Sequence, residues 1–193
     1  MKIVHVKRAC FISVLCLAAA LGSPAQTFTT LQSFDGTDGE DPNGLVQGAD
    51  GNFYGTTGSG GAISPCPPSN DGPGCGTVFE ITPTGVLTTL HSFNGADGAD
   101  PAVGLTQGSD GKLYGTTFQG GNLSLCNGTG CGAIFSIVPG GTPVTLYNFC
   151  SQTNCADGSY PSAALVQGTD GNFYGTTLGG GASNSGTFFK ITP

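Results

Sequence analysis

Leu45-Val-Gln-Gly-Ala-Asp-Gly-Asn-Phe-Tyr-Gly-Thr-Thr57 returns as Leu105-Thr-Gln-Gly-Ser-Asp-Gly-Lys-Leu-Tyr-Gly-Thr-Thr117 and again as Leu165-Val-Gln-Gly-Thr-Asp-Gly-Asn-Phe-Tyr-Gly-Thr-Thr177. The spacing is 60 residues both times, and nine of the thirteen positions are identical in all three copies. Repetition at a fixed period of this size marks an array of supersecondary units, each too small to bury its apolar face alone. The sequence repeats run over about 27–83, 86–139 and 142–193.

Within each repeat the apolar runs are short, rich in Val, Ile, Thr, Phe and Tyr, and bounded by Gly, Pro and Asp-Gly, a strand-and-turn pattern. The second repeat predicts four strands: Gly104–Gly108, Leu113–Thr117, Ala133–Val138 and Val144–Phe149. Asp110-Gly111 makes the first turn, with Gly supplying a positive φ, and Pro139-Gly140-Gly141 makes the third. The expected fold is all-β: three four-stranded antiparallel repeats stacked as a partial or small β-propeller. Thr27–Phe34 matches Val86–Phe93, a fourth strand, and the sequence stops after the third strand of repeat three. Phase alone therefore predicts that the N-terminal strand closes the last repeat and hides two sheet edges. Three blades are fewer than propellers typically use. Two chains combining as a homodimer into a larger ring, a fragment of a longer array, and another compact packing all stay open.

Residues 1–25 have the three parts of a secretory signal: Lys2, Lys7 and Arg8, an apolar stretch from Ala9 to Leu21, and small residues at Ser23 and Ala25. Cleavage near Ala25 would deliver residues 26–193 to the cell envelope or exterior, and no later segment is apolar enough to span a membrane. Only Lys112 and Lys190 then remain against all twelve acidic residues, a net charge of 2 − 12 = −10. A surface of that sign, without any Arg, excludes nucleic acid and anionic membrane as partners.

Six cysteines lie in the exported part, an even number in an oxidising compartment. Their spacing predicts local disulfides: Cys66 with Cys75, Cys126 with Cys131, Cys150 with Cys155. Zinc would need four thiolates gathered from such short pairs, and export weighs against it.

The combination of the thirteen-residue motif, then Gly76-Thr-Val-Phe-Glu-Ile-Thr-Pro83, then Thr88-Thr-Leu-His-Ser-Phe-Asn-Gly-Ala-Asp-Gly-Ala-Asp-Pro101 resembles the GloVer tandem repeat of exported bacterial proteins. The resemblance covers nearly all of residues 27–193. It implies an envelope or secreted setting and β-propeller-like repeats, and it carries over no catalytic residue.

In an antiparallel meander the 2→3 and 4→1 connections emerge on one face. The 2→3 loops run Gly58–Cys75, Phe118–Cys131 and Leu178–Ser185; the 4→1 loops run Asp35–Asp41, Asn94–Asp100 and Cys150–Tyr160. Every cysteine after residue 25 lies in one of them. Long loops on a rigid scaffold are where binding usually sits, so an unknown carbohydrate or protein ligand is expected on this face. Its acids Asp35, Asp38, Asp41, Asp97, Asp100 and Asp157 are the candidate ligand-binding residues. Asp35, Asp38 and Asp41 also have the close oxygen spacing that suits calcium, although Asp before Gly more simply makes a turn. No other cofactor is implied.

Catalysis has little to work with. His91 alternates with apolar positions on an outer strand, and no serine triad is available. Two loop carboxylates, Asp41 and Asp100, would be the pair for glycoside cleavage, the alternative function. Asp50, Asp110 and Asp170 fall in the tight turn of the opposite face. Tyr54, Tyr114 and Tyr174 are expected to pack between blades.

Overall fold

Each Tyr-Gly-Thr-Thr segment is the central strand of its own sheet, and the glycine in it explains the constancy of the motif. A Cβ at Gly55, Gly115 or Gly175 would lie 2.6, 2.5 or 2.5 Å from the ring of Phe79, Phe135 or Phe189 on the neighbouring strand. The ring lies flat across the strand only because no side chain stands there.

The computed structural model describes residues 26–63, 66 and 74–193; the proposed signal at 1–25 lies outside the described residues. In the first unit β1 (Glu40–Pro42) and β2 (Val46–Gln47) share one edge of β3 (Phe53–Ser59), whose other edge pairs with β4 (Thr77–Ile81) and then β5 (Leu87–Ser92). The second sheet runs β6 (Thr106–Gln107), β7 (Leu113–Thr117), β8 (Ala133–Ile137) and β9 (Val144–Asn148). In the third, β10 (Ser159–Pro161) and β11 (Val166–Gln167) flank β12 (Phe173–Gly179), and β13 (Thr187–Ile191) pairs its far side. All pairings are antiparallel, with Gly55 opposite Phe79, Gly115 opposite Phe135 and Gly175 opposite Phe189. Among the described residues no closed barrel forms. Both complete sheets slip register at one place on the third strand, between Val78 and Phe79 and between Ile134 and Phe135.

The four strands expected in the second repeat are present. The 4→1 connections hold more order than expected, because their ends return as β1 and β10 and, in the second repeat, as a bridge between Ala99 and Gln119. Gly39, Gly98 and Gly158 permit this return. All have positive φ, and a Cβ on any of them would come within 2.5 or 2.6 Å of Thr57, Thr117 or a threonine of the third sheet.

The sheets stack in chain order through equivalent aromatic pairs. Phe93 meets Phe135 edge-on at 5.4 Å between centroids, and Phe149 meets Phe189 at 5.1 Å. Tyr114 lies against Phe173 of the next sheet at 4.0 Å. Polar ties cross the same seams, with Thr56 Oγ1 donating to the carbonyls of Pro101 and Val103 at 3.2 and 3.0 Å. Tyr54 and Tyr114 are buried in these stacks as expected.

The expected closure fails. Residues 26–35 form no strand, and among the described residues β13 pairs with β12 alone, so this segment does not close the third sheet. Phe34 packs instead on Phe79 of the first sheet at 5.0 Å, edge-on, and Leu31 lies beside the turn at Gly85. The physical reason is visible in the pairs above. A fourth strand both pairs with its own third strand and stacks on the following sheet; Phe34 makes the stacking contact of Phe93 and Phe149. That contact holds it at the first sheet, two sheets away from β13. Phe28 stays exposed.

Candidate functional site

The long-loop face divides the six candidate acids into two kinds. Four of them close their own loops. Asp35 Oδ1 accepts from the Thr37 N–H at 2.9 Å and the Thr37 hydroxyl at 2.7 Å, while Asp38 Oδ1 accepts from the Asp35 N–H at 2.9 Å. Asp97 takes the Asn94 N–H at 2.9 Å and meets His91 Nε2 at 2.8 Å. Asp157 takes the Tyr147 hydroxyl at 2.7 Å and the Ser151 N–H at 2.9 Å. All four carboxylates close their loops by such local bonds, and Asp97 and Asp157 have an added brace from the fourth strand. Burial alone would raise Asp97 and Asp157; the hydrogen bonds from His91 and Tyr147, with the loop N–H groups, outweigh it and hold both carboxyls below the ordinary range. For Asp35 the Thr37 hydroxyl is the main cause of the same shift.

Asp41 and Asp100 are the other kind. Both stand in the left-handed region, at φ 56° and 52°, directly before a proline. They line a groove of about 550 Å³ where the first and second sheets meet, with Asn43, Ser59, Gln119 and Thr129 as further polar groups and the Cys66–Cys75 disulfide in its wall. The Asp100 N–H is anchored on the Cys75 carbonyl at 3.0 Å, and Phe118 N–H donates to the Asp100 carbonyl at 2.8 Å. Its main chain is thus fixed while no described donor reaches its carboxylate. Burial, and next the charge of Asp41, raise the Asp100 carboxyl above the ordinary range. Asp41 Oδ2 accepts from Ser59 Oγ at 3.1 Å. Gly58 lies between them: a Cβ there would sit in ordinary contact, 3.4 Å from Asp100 Oδ1 and 3.8 Å from Asp41 Cβ.

The three disulfides join the cysteines in the expected pairs, Cys66–Cys75, Cys126–Cys131 and Cys150–Cys155, all on this face. Asp50, Asp110 and Asp170 stay on the opposite side in the tight turn, each accepting the hydroxyl of the tyrosine four residues on, at 2.6, 2.8 and 2.7 Å. Burial, and then the bond to Asp110, push the Tyr114 hydroxyl up to about 12. All three tyrosines thereby brace the turn, a role that spacing alone did not reveal; Tyr54 and Tyr114 also fill the stack, whereas Tyr174 is half-buried and lies on Phe188 of its own sheet, not between sheets as expected. The His91–Asp97 contact was also missed; His91, Tyr147 and Gln32 occupy one repeat position, and its alignment with Asp97, Asp157 and Asp38 was the available signal.

Fold and site together define an all-β tandem-repeat protein with one loop-bearing face. The Gloeobacter/Verrucomicrobia repeat family matches residues 20–193, and the chain belongs to that family. A solved structure of a candidate gluconolactonase is similar, at 15% identity and a TM-score of 0.40, covering 79% of this chain and 48% of that one. The chain thus spans about half the length of that structure. No curated protein matches the chain. No described helix is long and apolar enough to cross a membrane.

Proposed function

We propose that the protein is an exported repeat module that binds a carbohydrate through the groove between its first and second sheets. The observation that carries this reading is the contrast among the acids: Asp35, Asp38, Asp97 and Asp157 close loops, whereas Asp100 presents a carboxylate with no described donor, beside Asp41, in a groove of about 550 Å³. Pockets of a few hundred Å³ are the size that small ligands occupy. Carboxylates and amides such as Asn43 and Gln119 suit the paired hydroxyls of a sugar, and the fixed loop backbone keeps the ordering entropy of binding low. The disulfides are compatible with an extracellular protein. We read the three stacked sheets as part of a β-propeller that a second copy would extend. Light scattering giving a monomer mass at high concentration would end the second-copy reading.

Calorimetric titration with a panel of plant and microbial polysaccharides, on native protein and on Asp41→Ala and Asp100→Ala, tests the groove. Saturable binding to at least one glycan, lost in both variants, is expected. Binding unchanged in both would overturn the assignment. Repeating the titration with calcium alone checks the cation alternative. The raised carboxyl of Asp100 supports one second reading, glycoside cleavage with Asp100 as the acid and Asp41 as the second carboxyl of the pair. Time-dependent release of reducing ends would favour it.

A further inference from the structure

The junction between the second and third sheets carries a different cluster. Cys126 and Cys131 close the connection from β7 to β8, and Cys150 and Cys155 close the one from β9 to β10. The two connections meet on the long-loop face, and the four Sγ atoms all lie within 4.8 Å of one another. Cys131 and Cys150 are buried; Cys126 and Cys155 are half-buried. Both segments have the same form, Cys126-Asn-Gly-Thr-Gly-Cys131 and Cys150-Ser-Gln-Thr-Asn-Cys155. Each holds a 3-10 turn containing an asparagine in the left-handed region, Asn127 at φ 59° and Asn154 at φ 57°. Two C-x4-C turns facing each other are the ligand arrangement of a tetrahedral tetrathiolate site. With metal–sulfur bonds of about 2.3 Å, four such thiolates stand about 3.8 Å apart, inside the span already present here.

We propose that these four cysteines form a redox-gated site for a soft divalent cation, Zn²⁺ being the natural occupant. In the oxidised protein the sulfurs are two disulfides and offer no thiolate. Two equivalents of a dithiol reductant deliver two electrons and two protons to each disulfide, giving four thiols while the reductant is oxidised to its own disulfides. One Zn²⁺ then binds, the four thiols release four protons, and the site carries a formal charge of −2. The scaffold on either side, held by the Phe149–Phe189 and Tyr114–Phe173 contacts, keeps the two turns together when the S–S bonds open. Cys66–Cys75 is the internal control, because its neighbouring loop, Asn94–Asp100, contains no cysteine. The site adjoins the carbohydrate groove, because Thr129 between Cys126 and Cys131 also lines that groove, but none of its four sulfurs does.

Cobalt(II) titration of residues 26–193 tests the proposal, with circular dichroism confirming the fold. Phosphine-reduced protein is expected to bind one Co²⁺ with sulfur-to-metal charge transfer and tetrahedral d–d bands, displaced by Zn²⁺, while oxidised protein shows neither. The Cys66→Ser/Cys75→Ser protein keeps both bands, and Cys150→Ser/Cys155→Ser loses them. Cys126→Ser alone, a milder change, keeps roughly three-quarters of the charge-transfer intensity, one thiolate of four being gone. Reduced, folded protein without cobalt–thiolate absorption overturns the proposal, as does a signal that depends on Cys66 and Cys75.

Discussion

At the junction of the first and second sheets the residue after Thr57 is Gly58 and the loop residue facing it is Asp100. At the junction of the second and third sheets, the same two places hold Phe118 and Tyr160, whose rings lie 5.3 Å apart. The backbone is shared: Asp100 and Tyr160 both have positive φ, both precede proline, and their N–H groups bond the carbonyls of Cys75 and Cys131. One junction is therefore an open polar groove and the other a filled one next to a sulfur cluster. The repeat fixes where a side chain stands, and single positions within it decide what the face presents.

The common scaffold should respond alike at both junctions, and most strongly. Phe135→Ala and Phe149→Ala each remove one ring of a stacked pair, and each should lower unfolding free energy by about 3–5 kcal/mol. Urea titration showing a loss under about 1 kcal/mol at only one of them would mean that the junctions do not share one packing rule.

The next effect separates the disulfides. Replacing Cys66 and Cys75 together, or Cys126 and Cys131 together, by Ala should cost about 2–3 kcal/mol in the chain-entropy picture. Chemical denaturation of the two double variants, compared without reductant, reads this directly; equal stability to the parent would show that the loops are ordered without their bridges.

Exchanging the junction residues should move function with little effect on stability. Gly58→Phe with Asp100→Tyr is expected to fill the first groove and abolish glycan binding, with stability changed by no more than about 1 kcal/mol. Phe118→Gly with Tyr160→Asp should open a second groove. Titration of both proteins against the same glycan settles the matter, and retained binding in the first would remove the groove as the site.

The smallest effect is a titration. Because the native Asp100 carboxyl is raised, the folded chain binds that proton more tightly than the unfolded chain does. Ionised Asp100 thus opposes folding, and its contribution declines as pH rises from the ordinary carboxylate range through the raised native value. Asp100→Asn should remove that decline and be neutral or slightly stabilising at pH 7. Urea midpoints of the two proteins between pH 4 and 7 that run parallel would refute the assignment.

Much of this architecture was legible in the sequence. The strands, the tight turns at Asp50, Asp110 and Asp170, the three disulfide pairs and the single long-loop face all follow from local patterns, because hydrogen-bonded turns and short-range bridges involve residues close in the chain. Two features were not. The destination of the N-terminal strand depended on whether pairing with β13 or stacking of Phe34 on Phe79 would hold it, and both contacts are compatible with the same phase. The structural difference among six similar aspartates depended on which donors came near them. Asp97 is braced by His91 and Asp157 by Tyr147, whereas Asp100 is carried by its backbone to a place beside Gly58.

The sequence by itself determined the repeat, the all-β class and the local covalent pairing, since each depends on periodicity or on neighbours a few residues apart. Only the tertiary structure decided the remainder: which carboxylates stay available, that four sulfurs from two loops converge within 4.8 Å, and that the first segment stacks rather than pairs. These are contacts between units, and a sequence period specifies each unit equally while the packing between units follows from the few positions at which the copies differ.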